Sequence, residues 1–296
     1  MLFATASLPV TLSLLTASAL LAGCGQPGDD SSGSGRWAVA SFYPLAWVTG
    51  RVAGDGWTVD NLTSPGQEPH DLSLDIKQTA EVESADLVVL EKGFQPAVDS
   101  AAENTDADVL DVTSIIDLLP ADHGDVDPHF WLDPLLVADV ADGVADELSD
   151  IDPDDATTYA DNAASLRSDL EALDQEYADG LASCERTATV VSHDAFGYLA
   201  RYGLDFEPIA GLSPESEPTA ADLAHLQSLI SSDGVTTVFS EHLVSPKMAE
   251  TLASDMGVTS AVLDPIEGLS TDTADGDYVS LMRGNLTALQ KANGCS

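Results

Sequence analysis

The chain has 296 residues, enough for two domains of ordinary size, and its hydrophobic content of 44% is normal for a folded protein. Its charge is unusual, because 51 acidic residues against 10 basic residues give a net charge of −41. So few lysines and arginines exclude a protein that binds nucleic acid through phosphate contacts, and they indicate a solvated acidic surface.

The first 23 residues carry no charged side chain and end in Leu-Ala-Gly directly before Cys24. This apolar segment resembles a bacterial lipoprotein signal peptide, in which the cysteine is lipidated after cleavage. We expect residues 1–23 to be the signal peptide and residues 24–35, which are rich in Gly and Ser, to be a flexible tether. A transmembrane anchor is the alternative. The signal predicts an extracytoplasmic protein that is bound to the bacterial cell membrane through a lipid on Cys24.

After the tether, short apolar runs alternate with helical patterns, which predicts a mostly parallel α/β sheet in each half of the chain. The predicted strands of the first half cover 36–42, 57–62, 85–91 and 107–112, with helices near 45–53, 72–84 and 95–103. The second half repeats the pattern, with strands at 187–192, 204–209, 236–240 and 258–264 and helices near 195–202, 219–231, 246–255 and 277–292.

Between the halves, apolar residues keep an uninterrupted spacing of three and four, which predicts one long helix over 154–182. A coiled coil is the alternative for this segment. The resulting fold class is α/β, with two doubly wound lobes joined by one long backbone helix. The predicted division is an N-terminal lobe at 36–152, a linking helix at 153–183 and a C-terminal lobe at 184–296.

Four residues with metal-binding side chains lie in loops next to predicted strands: His70, His129, His193 and Asp264. Ligands of open α/β sheets bind outside the carboxyl ends of the strands, so the fold can bring these four together. Each half supplies two of them, which places the site in the cleft between the lobes. Three neutral imidazoles and one carboxylate form a four-coordinate set that suits Zn²⁺.

Other residues offer alternative or accessory ligands. Glu241 also ends a strand, and His242 follows it directly, so either could replace Asp264 or one of the histidines. His123 lies in a short acidic segment and could make a weak accessory contact. His225 lies inside a predicted helix and is expected to be a surface residue or a hydrogen-bonded core residue rather than a metal ligand.

Cys184 and Cys295 remain after Cys24 is assigned to the lipid anchor. In an exported, oxidising setting these two cysteines can form a disulfide bond. Two free thiols or a thiolate zinc site are the alternatives.

Five segments carry a resemblance to a known family: GQEPHDLSL, DPHFWLDP, VVSHDAFGYLARYGL, SEHLVSPKMAETLA and VLDPIEG. They resemble the signature regions of the metal-binding substrate-binding lipoproteins of ABC transporters, in the zinc and manganese uptake family. The resemblance extends from about Ala38 to Ala292. It implies a metal held between two α/β lobes at the positions of His70, His129, His193 and Asp264. At the third of these positions the chain has His193, and a histidine there resembles the zinc subgroup of the family.

The resemblance implies a function as well as a fold. It predicts an extracytoplasmic receptor that captures Zn²⁺ and delivers it to an ABC permease with its ATPase. Such a receptor is not an enzyme, takes zinc as its transported ligand and is expected to be a monomer. A receptor for Mn²⁺ or another divalent metal is the alternative within the family. A zinc-dependent hydrolase and a surface adhesin are the alternatives from other classes.

Overall fold

A computed structural model describes residues 1–2, 35–121 and 125–296, and residues 35–296 form one compact unit. The predicted signal peptide beyond its first two residues, the tether up to residue 34, Cys24 and His123 lie outside the described residues. No helix in the described part of the chain is both long enough and apolar enough to cross a membrane.

The first half contains a parallel sheet of four strands in the order β2-β1-β3-β4. All four residues of β3 are buried, as expected for a central parallel strand that is covered on both faces. The strands are β1 (Arg36–Ala40), β2 (Trp57–Asn61), β3 (Leu87–Leu90) and β4 (Asp108–Asp111), and the helices are α1 (Tyr43–Ala53), α2 (Ile76–Ser84) and α3 (Pro96–Ala102).

A short hairpin and two long helices follow the first sheet. The hairpin consists of β5 (Leu119–Pro120) and β6 (Val126–Asp127), and the helices are α4 (Pro134–Ile151) and α5 (Ala156–Leu181). The apolar spacing that predicts α5 matches its buried face, which comprises Tyr159, Ala163, Leu166, Leu170, Leu173, Tyr177 and Leu181. The helix has 26 residues, fewer than predicted, because the backbone of residues 152–155 forms a turn before it.

The second half repeats the design of the first, with a parallel sheet in the order β10-β9-β7-β8. Its strands are β7 (Ala188–Val191), β8 (Asp205–Pro208), β9 (Thr237–Ser240) and β10 (Thr259–Val262), and its helices are α6 (Ala220–Ser232), α7 (Lys247–Met256) and α8 (Tyr278–Asn293).

The α/β fold class with two parallel sheets is confirmed, and each of the eight predicted strands overlaps an observed one. Two local features differ from the prediction. Residues Gly197–Tyr202 form a 3₁₀ helix, because the chain turns left-handed at Gly203 before a longer helix can develop. The β5–β6 hairpin was not predicted, because its strands of only two residues are too short to show an alternating or apolar pattern. The predicted lobe boundaries stay a prediction.

One hydrophobic core runs through both halves, and α5 connects them. At one end of α5, the indole N–H of Trp57 donates to the hydroxyl of Tyr159 at 2.9 Å. Near the other end, the hydroxyl of Tyr177 donates to the carbonyl of Met282 at 2.6 Å. These buried polar groups are satisfied by partners from the sheet region of one half and from α8 of the other. The two halves are therefore fixed to the same helix.

The predicted disulfide bond between Cys184 and Cys295 is present and joins positions 111 residues apart in the sequence. It ties the end of the chain to the segment that follows α5. Closing so long a loop reduces the entropy of the unfolded chain, which stabilises the fold by about 4–5 kcal/mol in the chain-entropy account.

We expect the double substitution Cys184→Ser and Cys295→Ser to lower the free energy of unfolding by about 4–5 kcal/mol, because the unfolded chain regains the entropy that the bond removes. Urea unfolding at neutral pH measures the change. A reductant should lower the urea midpoint of the wild-type protein to about that of the double variant and should leave the double variant unaffected. An unchanged midpoint in the double variant would contradict the assigned role of the bond.

Candidate metal centre

Three histidines and one glutamate meet in a buried group: His70, His129, His193 and Glu267. One ligand atom from each lies within 4.8 Å of the others. The Oε1 atom of Glu267 is 3.4 Å from Nε2 of His70, 3.3 Å from Nε2 of His129 and 3.2 Å from Nε2 of His193. Three of the four residues are fully buried and His70 is nearly so. The geometry therefore aims three imidazole nitrogens and one carboxylate at a common point.

The four residues come from loops at the carboxyl ends of strands, two loops in each half. His129 follows β6 and His193 follows β7. The loop that bears His70 is held by the side-chain amide of Gln95, which donates to the carbonyl of Pro69 at 3.0 Å. Earlier in this loop, the N–H of Gly66 donates to the carbonyl of Leu269 at 2.6 Å. This second bond fastens the His70 loop to the loop of Glu267 in the other half.

Carboxylates orient two of the imidazole rings. Nδ1 of His129 is 2.7 Å from Oδ1 of Asp127, and Nδ1 of His193 is 2.8 Å from Oε1 of Glu241. The hydroxyl of Ser192 donates to that same Glu241 oxygen at 2.5 Å. When these imidazoles are neutral, an N–H at each Nδ1 that donates to a carboxylate leaves Nε2 with a free electron pair that points into the group. Carboxylates commonly fix metal-binding histidines in this way.

The charges of the group are strongly coupled. Burial alone would raise the pKa of Glu267, but hydrogen bonds from the three histidines hold it well below its usual value. Burial alone would lower the pKa of His193, but its bonds to Glu241 and Glu267 raise that pKa to about 10. The pKa of His129 is raised for the same reason, by Asp127 and Glu267. Burial and the charge of Glu267 raise the pKa of Glu68 to about 8.

The fourth member of the group differs from the sequence prediction, because the structure does not bring Asp264 to the histidines. Its Oδ1 atom instead accepts a hydrogen bond from the N–H of Ile266 at 2.8 Å. Asp264 is buried, and this burial raises its pKa to about 6. Glu267, three residues further along the same loop, takes the fourth position.

The alternative ligands also lie outside the group of four. Glu241 contacts His193 but orients it rather than sharing the common point. His242 is partly buried and lies near enough to Asp264 for their electrostatic interaction to lower the pKa of that carboxyl group. His225 is an exposed residue of α6, as expected.

Glu267 is the residue that sequence reasoning missed, although it lies within the segment VLDPIEG. That segment offers two carboxylates three residues apart, and the strand-end rule favours the one nearer to the strand. An Asp-Pro pair is a turn signal, so a second carboxylate beyond the turn was the available hint.

The donor set has the composition that zinc prefers. Imidazole nitrogen and carboxylate oxygen are ordinary zinc ligands, and structural sites hold the ion with four protein groups in a tetrahedron. A site for Mn²⁺ gains more from carboxylate oxygens. The residues present therefore fit Zn²⁺ as a bound substrate.

Comparison with known proteins agrees with this composition. A family model described as zinc-uptake complex component A, periplasmic (ZnuA), matches residues 38–292. The high-affinity zinc uptake system protein ZnuA of Bacillus subtilis is 33% identical over 296 residues, with 92% of this chain and 93% of the relative covered. The zinc-binding lipoprotein AdcA of Streptococcus pneumoniae is 35% identical over 274 residues. The match covers 86% of this chain and 55% of AdcA, so the chain spans about half the length of that relative.

Solved structures share the fold as well. The Zn(II)-bound ZnuA-like domain of Streptococcus pneumoniae AdcA has a TM-score of 0.76 at 34% identity, covering 87% of this chain and 98% of that domain. The laminin-binding protein Lmb of Streptococcus agalactiae, described as bifunctional with adhesin and metal-transporting activity, has a TM-score of 0.81 at 29% identity. That match covers 87% of this chain and 99% of Lmb.

The raised histidine pKa values predict that zinc binding releases protons. At pH 7 the metal-free protein holds a second proton on His193, whose pKa is about 10, and a metal ligand must be neutral. We expect the release of at least about one proton per zinc at pH 7 and an affinity that rises between pH 6 and pH 9. Isothermal calorimetry in buffers of different ionisation enthalpy measures this number.

The same shift has a consequence for the metal-free protein. A raised pKa stabilises the fold fully below the ordinary histidine value, and this contribution is lost as the pH rises through about 10. Metal-free protein should therefore unfold more readily near pH 10 than near pH 6.5. Zinc binding without proton release, together with an affinity that does not change with pH, would contradict the assigned protonation.

Proposed function

This chain belongs to the family of periplasmic zinc-uptake complex component A proteins, and on that basis we propose that it captures Zn²⁺ outside the cytoplasm for an ABC importer. The observation that carries the proposal is the buried group of three imidazoles and Glu267 between the two halves of the fold. Members of this family are substrate-binding receptors of transport systems. The importer that accepts the zinc consists of a membrane permease and its ATPase.

Zinc is favoured over manganese by the balance of nitrogen and oxygen in the site. Three of the four groups are imidazoles, and Glu267 supplies the single carboxylate. Replacing an imidazole by a carboxylate would suit a harder ion such as Mn²⁺. At the position of His193, this chain resembles the zinc subgroup of the family.

A hydrolase needs a coordination position for water and a nearby general base. In this chain four protein side chains meet, which is the number that fills a tetrahedral zinc site. Glu241, a further carboxylate beside the group that could act as a base, is occupied by hydrogen bonds with Ser192 and His193. These contacts support a receptor that holds the ion rather than an enzyme that activates a water molecule on it.

The N-terminal sequence supports a proposal for the location of the protein. We propose that Cys24 carries a lipid and that the receptor is attached to the outer face of the cell membrane as a monomer. Support comes from the Leu-Ala-Gly-Cys sequence at 21–24 and from relatives that are named lipoproteins.

Release of the ion requires the site to come apart. His70 and His129 belong to the first half, whereas His193 and Glu267 belong to the second. A small separation of the halves on the permease would divide the four ligands into two pairs, and two ligands hold zinc far less tightly than four. A receptor can bind tightly in solution and still release its ion when a partner favours the separated state.

Uptake of radioactive metal by cells of the source bacterium tests this function. A strain with His193→Ala should lose at least about tenfold of its ⁶⁵Zn uptake at low external zinc, because even residues that only orient a ligand change metal affinity about 10–100-fold. The matched control is His225→Ala, which removes an exposed histidine of α6 and should keep full uptake.

Immunoblots must show equal amounts of the two variants in the membrane. Uptake of ⁵⁴Mn should be the same in both strains. Loss of manganese uptake with unchanged zinc uptake would instead identify a manganese receptor. Equal zinc uptake by the two strains would contradict the proposed function.

A further inference from the structure

The loop that carries Glu267 contains an unusual backbone conformation. Ile266 has a φ of 60°, and within residues 35–121 and 125–296 it is the one non-glycine residue at positive φ. A β-branched residue is strained in this left-handed region and stays there only where its surroundings hold it. Ile266 is fully buried and directly precedes Glu267. The conformation therefore sets the direction in which the Glu267 side chain leaves the backbone.

Asp264 is the residue that holds this conformation locally. Its Oδ1 atom accepts the N–H of Ile266 at 2.8 Å, which closes a tight turn around Pro265. The backbone of Asp264 is itself fixed on both sides by Asn285 of α8. The Asp264 N–H donates to Asn285 Oδ1 at 2.9 Å, and Asn285 Nδ2 donates to the Asp264 carbonyl at 2.6 Å. The turn is therefore anchored to a long helix of the second half.

The other half of the molecule contacts the same turn. The indole N–H of Trp131 donates to the carbonyl of Pro265 at 2.7 Å. Trp131 follows His129 by two residues, and its ring packs against that histidine with centroids 5.2 Å apart. The carbonyl of Trp131 in turn accepts the hydroxyl of Tyr278 at 2.5 Å. The Glu267 loop is thereby aligned with the segment that supplies His129.

We infer that Asp264 is a positioning residue for Glu267 and not itself a zinc ligand. The inference rests on the proposed function, in which the group of four binds zinc. Asp264 holds Ile266 in its left-handed conformation, and this conformation delivers the Glu267 carboxylate to the three imidazoles. Among the described residues, Oδ2 of Asp264 has no hydrogen-bond partner, so only Oδ1 is needed for the turn.

Two substitutions of Asp264 separate the two roles. Asp264→Asn keeps the oxygen that accepts the Ile266 N–H and replaces only the unpartnered Oδ2, so the turn survives while the charge is lost. Asp264→Ala removes the acceptor. A positioning residue tolerates the first change and not the second, whereas a carboxylate ligand tolerates neither.

The experiment measures the zinc dissociation constant of purified full-length protein by competition with a chromogenic chelator. Glu267→Gln serves as the reference for loss of a ligand, and thermal unfolding of each metal-free variant verifies its fold. We expect Asp264→Asn to stay within about threefold of wild type. Asp264→Ala should weaken binding about 10–100-fold, as is typical when a ligand loses its orienting partner, and Glu267→Gln should weaken it more.

The other possible results also decide whether Asp264 is a ligand or a positioning residue. If Asp264→Asn loses as much affinity as Glu267→Gln, Asp264 is a ligand and the inference is overturned. If a folded Asp264→Ala binds as wild type does, the residue has no positioning role. Should Asp264→Ala fail to fold, the retained or lost affinity of Asp264→Asn still decides between the two roles. Absence of tight zinc binding in wild type would overturn the proposed function, and with it this inference.

Discussion

The structure depends on burying one carboxylate among three imidazoles between the two halves of the fold. Removing a carboxylate from water is costly unless other groups compensate its charge, and Glu267 is compensated by contacts to all three histidines. A divalent cation at the same point would take over the compensation that these hydrogen bonds give the carboxylate. The buried carboxylate that the histidines compensate in the metal-free protein is therefore also available to bind a cation.

The rest of the fold serves to make this arrangement precise. Two parallel sheets present their strand ends to a common region, and α5 fixes both sheets to one rigid element. Asp127 and Glu241 then orient one imidazole from each half, so both halves contribute an oriented nitrogen. The many surface carboxylates, which give the chain its net charge of −41, favour the approach of cations from solution.

The fold and three of the four candidate ligands could be predicted because their signals are local. Apolar runs mark the strands, and a histidine directly after a strand, such as His193, must lie at the sheet edge where ligands bind. The choice between Asp264 and Glu267 was not predictable in this way. It depends on the left-handed φ of Ile266, in a turn that the Asp264 side chain closes and that tertiary contacts to Trp131 and Asn285 anchor, rather than on any preference of isoleucine.

X-ray absorption at the zinc edge of the zinc-loaded protein identifies the ligands of the ion. We expect a four-coordinate ion with three imidazole nitrogens and one carboxylate oxygen at about 2.0–2.2 Å. In Glu267→Gln the three imidazoles should remain while the carboxylate contribution changes. A zinc ion with fewer than three imidazoles, or a spectrum that Glu267→Gln leaves unchanged, would contradict the assignment of the site.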